Sequence, residues 1–301
     1  MKETILIAGG TGFLGYHFAK KAVKEKFRVI SISQHEPSKK RTVKNVKYIK
    51  VDVCNLKELK KKININFNYI VNFSGYVDHN NKKKTYQSHY VGCKNLVKIC
   101  LNRKIKRFIQ IGSSMEYGRN LSPQNENFRC RPLSVYAKAK FFASKYLLRL
   151  YEKKKFPVVI LRLYQVYGPN QDLNRFIPVI INSCRKDLKF PCSNGQQYRD
   201  FLYVDDFVRS VFSSMCNSEV IGKIINIGSG KPLKIKKIIK KIIKIYKKGK
   251  PLFGKIKLRK EEMRITYPDI SSAKRILKWK PVISFNKGIL KTVKYYNESS
   301  R

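Results

Sequence analysis

Two stretches of this 301-residue chain carry side chains whose types and spacing suit proton transfer. One is I-G-S-S-M-E-Y-G, residues 111–118, which packs two hydroxyls (Ser113, Ser114), a carboxylate (Glu116) and a phenol (Tyr117) between glycines just after an apolar run. The other is S-V-Y-A-K-A-K, where Tyr136 and Lys140 stand four residues apart and so share one face of a helix that Ser134 can cap. An ammonium beside a phenol stabilises the phenolate. Lys140 is therefore expected to lower the Tyr136 pKa from its reference of about 10, letting the tyrosine trade a proton with an alcohol or carbonyl near neutral pH. Alone, a Y-x-x-x-K pair says little in a chain with 18 tyrosines and 66 lysines and arginines, where chance matches arise.

A third stretch suits a nucleotide. G-G-T-G-F-L-G follows the first apolar run and sets Gly9, Gly12 and Gly15 at G-x-x-G-x-x-G, with Phe13 and Leu14 opening an amphipathic helix that continues through Phe18 and Ala22. Glycine there permits a tight turn, close backbone approach to a pyrophosphate and close helix packing, and the N–H groups at the helix start face the anion. The second strand ends Ser31-Ile32-Ser33-Gln34-His35, with no acid at its tip for an adenosine ribose, and Lys39, Lys40 and Arg41 follow. A 2'-phosphate repels an acid and wants cations, so NADP(H) is favoured over NAD(H). Asp52, followed by Val53 after the third strand, either accepts a hydrogen bond from the adenine amino group or caps the helix starting near Leu56.

Positioning these groups needs a frame, and the sequence supplies one. Short β-branched runs at 4–8, 27–32, 48–51, 69–73, 107–111 and 158–163 alternate with helix-period segments. They predict an α/β fold of the Rossmann type, a doubly wound parallel sheet with crossover helices on both faces. A seventh run, 223–227, returns to that sheet. The dinucleotide-binding domain is expected at 1–167 plus about 205–228, with a smaller interleaved lobe at about 168–204 and 229–301 for the substrate.

Bulk properties narrow the class. A 43% hydrophobic content fills a sizeable core. The apolar run after Met1-Lys2-Glu3 is too short for a signal peptide, and no 18-residue uncharged apolar stretch exists, so a cytoplasmic protein without a membrane span is expected. Seven scattered cysteines lacking C-x-x-C spacing suggest neither disulfides nor a metal site. The net charge of +47 comes from lysines spread along the chain among isoleucines and asparagines. That reads as compositional bias rather than a nucleic-acid or anionic-membrane partner, although a phosphorylated substrate also favours a positive field. The densest run, 234–248, sets Ile235, Ile238, Ile239, Ile242, Ile245 and Tyr246 on one helical stripe facing a core.

Glycine loop, serine loop and Y-x-x-x-K occur in that order, joined by V-N-F-S-G (71–75), L-R-L-Y-Q-V-Y-G-P (161–169), Y-R-D-F-L-Y-V-D-D (198–206), I-N-I-G-S-G (225–230) and R-I-T-Y-P-D-I-S-S-A-K-R-I-L-K-W-K-P from Arg264. Nearly end to end, the chain resembles the extended short-chain dehydrogenase/reductase family, in its nucleotide-sugar epimerase, dehydratase and reductase branch. The resemblance implies a nucleotide-sugar substrate and a homodimer formed through helices flanking the sheet. It implies Ser113 as the catalytic hydroxyl, Tyr136 as acid/base and Lys140 as the ribose-binding partner. It implies cofactor contacts at Gly9, Gly12, Phe13, Leu14, Gly15, Ser33, Asp52, Val53, Phe73, Ser74 and Gly75. Ser114, Met115, Gln165, Arg199 and Arg264 would meet the substrate, the arginines at its diphosphate. Two positions depart from the family: Gln165 and His89 stand where asparagine is usual.

Dehydratases and decarboxylases of this branch carry an acid two places after the catalytic hydroxyl. Met115 stands there, and Glu116, one place on, faces the opposite side of an extended segment, which argues against dehydration. Two reactions need only Ser113, Tyr136 and Lys140. The G-S-S loop, the missing acid after the second strand and the E-Y-G variant resemble reductases that finish deoxyhexose nucleotides, such as GDP-4-keto-6-deoxymannose reductase and CDP-abequose synthase. NADPH-driven reduction of a nucleotide 4-keto-6-deoxy sugar is thus the expectation, with a place in making cell-surface polysaccharide precursors, and 4-epimerisation with bound NAD is the alternative. A reading of another class, an inactive relative binding RNA through its basic surface, is countered by the intact Ser113, Tyr136 and Lys140 set.

Overall fold

The computed structural model describes residues 2–76, 78, 80–258 and 262–299. In chain order the first elements are β1 (Thr4–Ala8), α1 (Phe13–Lys24), β2 (Arg28–Ser33), β3 (Val46–Lys50), α2 (Leu56–Lys62), β4 (Tyr69–Asn72), α3 (Lys82–Tyr86), α4 (Gly92–Cys100) and β5 (Arg107–Ser113). Then come α5 (Val135–Lys154), β6 (Val158–Leu163), β7 (Gln165–Tyr167), α6 (Phe176–Arg185), β8 (Lys189–Cys192), β9 (Tyr198–Tyr203) and α7 (Val204–Cys216). The last are β10 (Lys223–Ile227), β11 (Pro232–Lys234), α8 (Ile235–Tyr246), β12 (Lys250–Phe253), β13 (Ile265–Thr266), α9 (Ser271–Arg275) and α10 (Phe285–Glu298).

Seven strands form one parallel sheet in the order β10-β6-β5-β4-β1-β2-β3, as the alternating runs predict. Strands β1 and β4 are buried throughout, which is why they read as continuous apolar runs rather than alternating ones. On one face they pack against Phe18 of α1 and Phe207, Val208 and Val211 of α7. On the other they meet Leu59 of α2, Leu96 and Val97 of α4, and Ala143 and Leu147 of α5. Chain order and spatial order diverge at β1, where the next strand outward on one side is β2 and on the other β4. That switch point opens a crevice at the strands' C-terminal ends.

The remaining strands build a smaller structure beside it. β9 pairs with β7, β11 and β13, and β8 pairs with β12. Ile235, Ile238, Ile239 and Ile242 of α8 are buried against α6, α10 and these strands, while Lys237, Lys240 and Lys244 are exposed. The isoleucine stripe thus accounts for the densest basic run as the solvent side of a packed helix. Among the described residues no helix is long and apolar enough to cross a membrane.

One carboxylate ties the chain's last third to the large sheet. Asp206 in α7 is wholly buried, pairs with Arg209 at 2.7 Å, and accepts the backbone N–H groups of Val282 (3.0 Å) and Ile283 (2.8 Å). Its own carbonyl accepts the indole N–H of buried Trp279 at 3.0 Å. Removing the carboxylate orphans two backbone donors, while Arg209, 41% exposed, keeps its hydrogen bond to the Lys280 carbonyl. Asp206→Ala is therefore expected to lower unfolding free energy by about 3 kcal/mol, read from urea denaturation.

Candidate active site

The predicted site residues gather along the C-terminal edge of the large sheet. Gly9 follows β1, Ser33 ends β2, Ser74 follows β4, Ser113 ends β5 and Gln165 follows β6. Gly9 has φ +83°, and a Cβ there would lie 2.8 Å from the Ser74 backbone nitrogen, so the two loops meet backbone to backbone. Gly12 is the N-cap of α1, has ordinary extended φ and ψ and no side-chain cap, and a Cβ on it would meet only the Gly9 carbonyl oxygen at 3.4 Å. Open space therefore lies over the unpaired N–H groups that begin α1 at Phe13, Leu14 and Gly15. A Cβ on Gly15, by contrast, would run into the Gly9 carbonyl. This cradle fits a dinucleotide pyrophosphate.

Several cofactor candidates have their side chains committed to packing. Phe13 and Leu14 send their side chains into the small structure's core, and the Phe73 ring packs 5.6 Å from Phe18 while its N–H bonds the Ala8 carbonyl. Val53 is buried against Gly92 and its carbonyl accepts from Asn95. Asp52 does not cap α2: Asn55 does, accepting from Glu58 N–H, while Asp52 Oδ1 accepts from Cys54 N–H at 2.8 Å. Ser74 N–H and hydroxyl both bond Asn72 Oδ1, and Asn72 in turn donates to Gln110 of β5 at 2.8 Å.

The cations expected to meet a 2'-phosphate are in part committed elsewhere. Arg41 donates to the Asn170 carbonyl at 2.8 Å and pairs with Asp172 at 2.7 Å, and Asn170 returns a hydrogen bond to the Lys40 carbonyl. Past the tip of β2 lies a cleft lined by Thr11, Ser33, His35, Glu36 and Lys50. Glu36, three residues beyond the strand tip, is thus an acid in the place where the sequence reading finds none; the turn carries it back.

Ser113, Tyr136 and Lys140 come together at the crevice rim. Ser134 caps α5 by accepting from Ala137 N–H at 3.1 Å, as the sequence predicts, and that start places Tyr136 in the first turn facing Ser113, with which it shares a side-chain hydrogen bond. The expected lowering of the Tyr136 pKa by Lys140 does not occur. Burial raises it, with the Glu116 charge adding, while the Ser113 hydrogen bond and Arg175 oppose. Lys140 Nζ sits 6.0 Å from the Tyr136 ring centroid and donates to the Ile111 carbonyl at 2.7 Å; burial pushes its own pKa down to about 8, against the charges of Glu116 and Cys93. His89 lies edge-on to the Tyr136 ring at 4.9 Å, and Gly75 leaves the room its imidazole needs, so this residue walls the tyrosine.

On the substrate side Ser114 is half-buried, while Met115 and Gln165 are exposed at the crevice. Arg199 and Arg264 are neighbours, joined by the Tyr198 N–H bond to the Arg264 carbonyl at 2.8 Å. Arg199 pairs with Glu262 at 2.6 Å and Arg264 is exposed, so in this state the first arginine already has an anionic partner. Glu36, Arg175 and His89 are the groups the sequence reading does not assign to the site. Each reaches it through a turn or helix start from a distant segment, a placement no local spacing announces.

Comparison with known proteins follows the same lines. A model of the NAD dependent epimerase/dehydratase family matches residues 5–228. A UDP-glucuronate 4-epimerase of Thermodesulfobacterium geofontis is 27% identical, over 98% of this chain and 96% of that protein. A dTDP-D-glucose 4,6-dehydratase of Mus musculus is 26% identical, over 99% of this chain and 89% of its own length. The solved UDP-glucuronic acid 4-epimerase of Bacillus cereus, in complex with UDP-glucuronic acid and NAD, superposes with TM-score 0.89 at 24% identity, covering 98% of this chain and 99% of that one, a likeness of fold.

The two glycines of the cradle separate binding from folding. Gly12→Val should leave the thermal midpoint of the ligand-free protein nearly unchanged yet abolish its stabilisation by added dinucleotide. Gly15→Ala should lower the ligand-free midpoint itself. Differential scanning fluorimetry with and without NAD reads both.

Proposed function

The chain belongs to the NAD dependent epimerase/dehydratase family, and we propose that it interconverts a nucleotide-activated sugar and its C4 epimer using NAD held in the Gly9–Gly15 cradle. The observation that carries this reading is the meeting of Ser113, Tyr136 and Lys140 at the rim of that cradle with Met115, 46% exposed, where a dehydrating acid would stand. Glu116 is wholly buried and bonded to Arg162 and the Ser113 N–H, so it is not available to a sugar, and dehydration lacks its acid. The 4-epimerase relative supports the same choice.

When bound, NAD supplies the acceptor and later the donor of the hydride at C4. Tyr136 takes the proton of the C4 hydroxyl and returns it to the epimeric alcohol. Ser113 holds that oxygen by a hydrogen bond, and Lys140 keeps a positive charge beneath the phenol. Arg199 and Arg264 are placed for the diphosphate, with Glu262 giving up Arg199 as the anion arrives. Glu36 in the adenosine cleft and the engagement of Arg41 with Asp172 support NAD over NADP. A second reading, reduction of a 4-keto sugar by NADPH, retains the support of Ser33 at the tip of β2 and of the E-Y-G loop. A homodimer belongs to the proposal as well: Tyr86, Tyr90 and Phe142 form an aromatic face across α3, the turn after it and α5, with ring centroids 5.3 Å and 6.0 Å apart.

Protein purified without added cofactor, incubated with UDP-hexoses, should yield the C4 epimers, followed by proton NMR of the anomeric signals. Turnover only with NADPH and a 4-keto-6-deoxy sugar would instead establish the reductase. In either reaction Tyr136→Phe is expected to cut kcat by roughly 1000-fold with cofactor binding kept; full turnover by this variant would sink the mechanism. Glu36→Ala should move the ratio of NADP to NAD affinity upward by about tenfold, measured by tryptophan fluorescence titration.

A further inference from the structure

Ser113 is only as well placed as the strand end that carries it, and that end rests on a buried ion pair. Glu116 is 0% and Arg162 1% exposed, and they pair at 2.9 Å through Oε2 and Nη2. The other carboxylate oxygen, Oε1, accepts the Ser113 N–H at 2.8 Å, closing a capping box over the turn 114–117. The geometry depends on Gly112, which pairs across strands with Arg162: a Cβ there would lie 2.8 Å from Glu116 Oε1, so only glycine lets the carboxylate lie against β5. Arg162 stacks 4.3 Å from the Tyr117 ring centroid, and the Tyr117 hydroxyl donates to Asn226 of β10 at 2.8 Å. The catalytic loop is thereby pinned to three adjacent strands.

We propose that Glu116, clamped by Arg162, is a positioning residue that fixes Ser113 from beneath through its backbone and sets the electrostatic environment shared by Tyr136 and Lys140. The inference rests on the epimerase reading for its kinetic arm alone. Among the described residues, the groups facing Tyr136 include Ser113 from β5, Glu116 from the turn after it, Arg175 from the start of α6, His89 from the turn after α3, and Lys140 from its own helix. Lys140 faces the Ile111 carbonyl and Cys93 of α4. Among these the Glu116 carboxylate raises the pKa of both Tyr136 and Lys140. A phenol that must act as base is active where it is ionised, so loss of the Glu116 charge lowers the Tyr136 pKa and carries the acid limb of the pH profile to lower pH.

Two double variants avoid leaving Arg162 buried without its partner. Glu116→Leu with Arg162→Met removes the cap and both charges. Glu116→Gln with Arg162→Met restores an acceptor for the Ser113 N–H but not the charge, and its near-isosteric side chains make it the variant that carries the test should the first not fold. The first readout is NMR of protein labelled at tyrosine Cζ, with Tyr136 assigned through Tyr136→Phe. Both variants should show Tyr136 titrating at lower pH than in the wild type. The second readout is kinetic: the Leu/Met variant should lose roughly 100-fold in kcat with KM within about threefold, and the Gln/Met variant should regain most of kcat. An unmoved Tyr136 titration, or wild-type kcat in folded Leu/Met protein, would overturn the proposal. If the wild type epimerises no nucleotide sugar, the functional reading fails while the NMR titration still decides this one.

Discussion

All seven strands of the large sheet run the same way, and that directional constraint decides where everything else lies. Parallel strands need crossover connections, here mostly helical, so every strand ends at one edge, and a helix that directly follows a strand begins there with unpaired N–H groups. The glycine cradle and the hydroxyl of Ser113 share this edge because each follows or ends a strand of that sheet, and the start of α6, which follows β7 of the small structure, brings Arg175 toward Tyr136 there. The small structure built on β9 is set against the same edge by its direct junction with α7 and by the anchor at Asp206.

Burial then sets the chemistry of that edge. A tyrosine and a lysine removed from water both resist ionising, which moves their pKa values in opposite directions and, from nearly equal reference values, drives them apart, the phenol up and the ammonium down to about 8. The polar network beneath, from Ser74 through Asn72 to Gln110 and on to the Cys93 thiol, holds the backbone of this region in one arrangement without adding another charge.

How much of this was legible in the sequence depends on the range of the interaction. The seven strands, the cradle, the Ser134 cap and the isoleucine stripe of α8 follow from local periodicity and from glycine and serine at fixed offsets, and they stand where predicted. The direction of the Tyr136 pKa did not follow from the four-residue spacing, because a shared helix face leaves open where the ammonium points; Nζ goes to the Ile111 carbonyl, 29 residues earlier and on another element. Glu36 escaped notice because a turn, not the strand, aims it. Arg41 looked like a phosphate cation, and only the fold shows it bonded to a loop 129 residues away. Glu116 turns away from the sugar not by strand alternation, since β5 ends at Ser113, but through the 3-10 turn 114–117, and neither that turn nor the partner Arg162 on β6 is announced by local spacing.

The position of β10 at the edge of the large sheet has a further consequence for how the chain is made. β6 borders β10 on one side, and its run V-V-I-L-R-L is almost wholly buried once that neighbour is in place. During synthesis β10 leaves the ribosome some sixty residues after β6, with β7 through α7 in between. Until then β6 presents an apolar, hydrogen-bond-hungry margin to whatever strand it meets. The insertion of the small structure between the two strands therefore lengthens the interval in which that margin of the nascent chain stays unpaired.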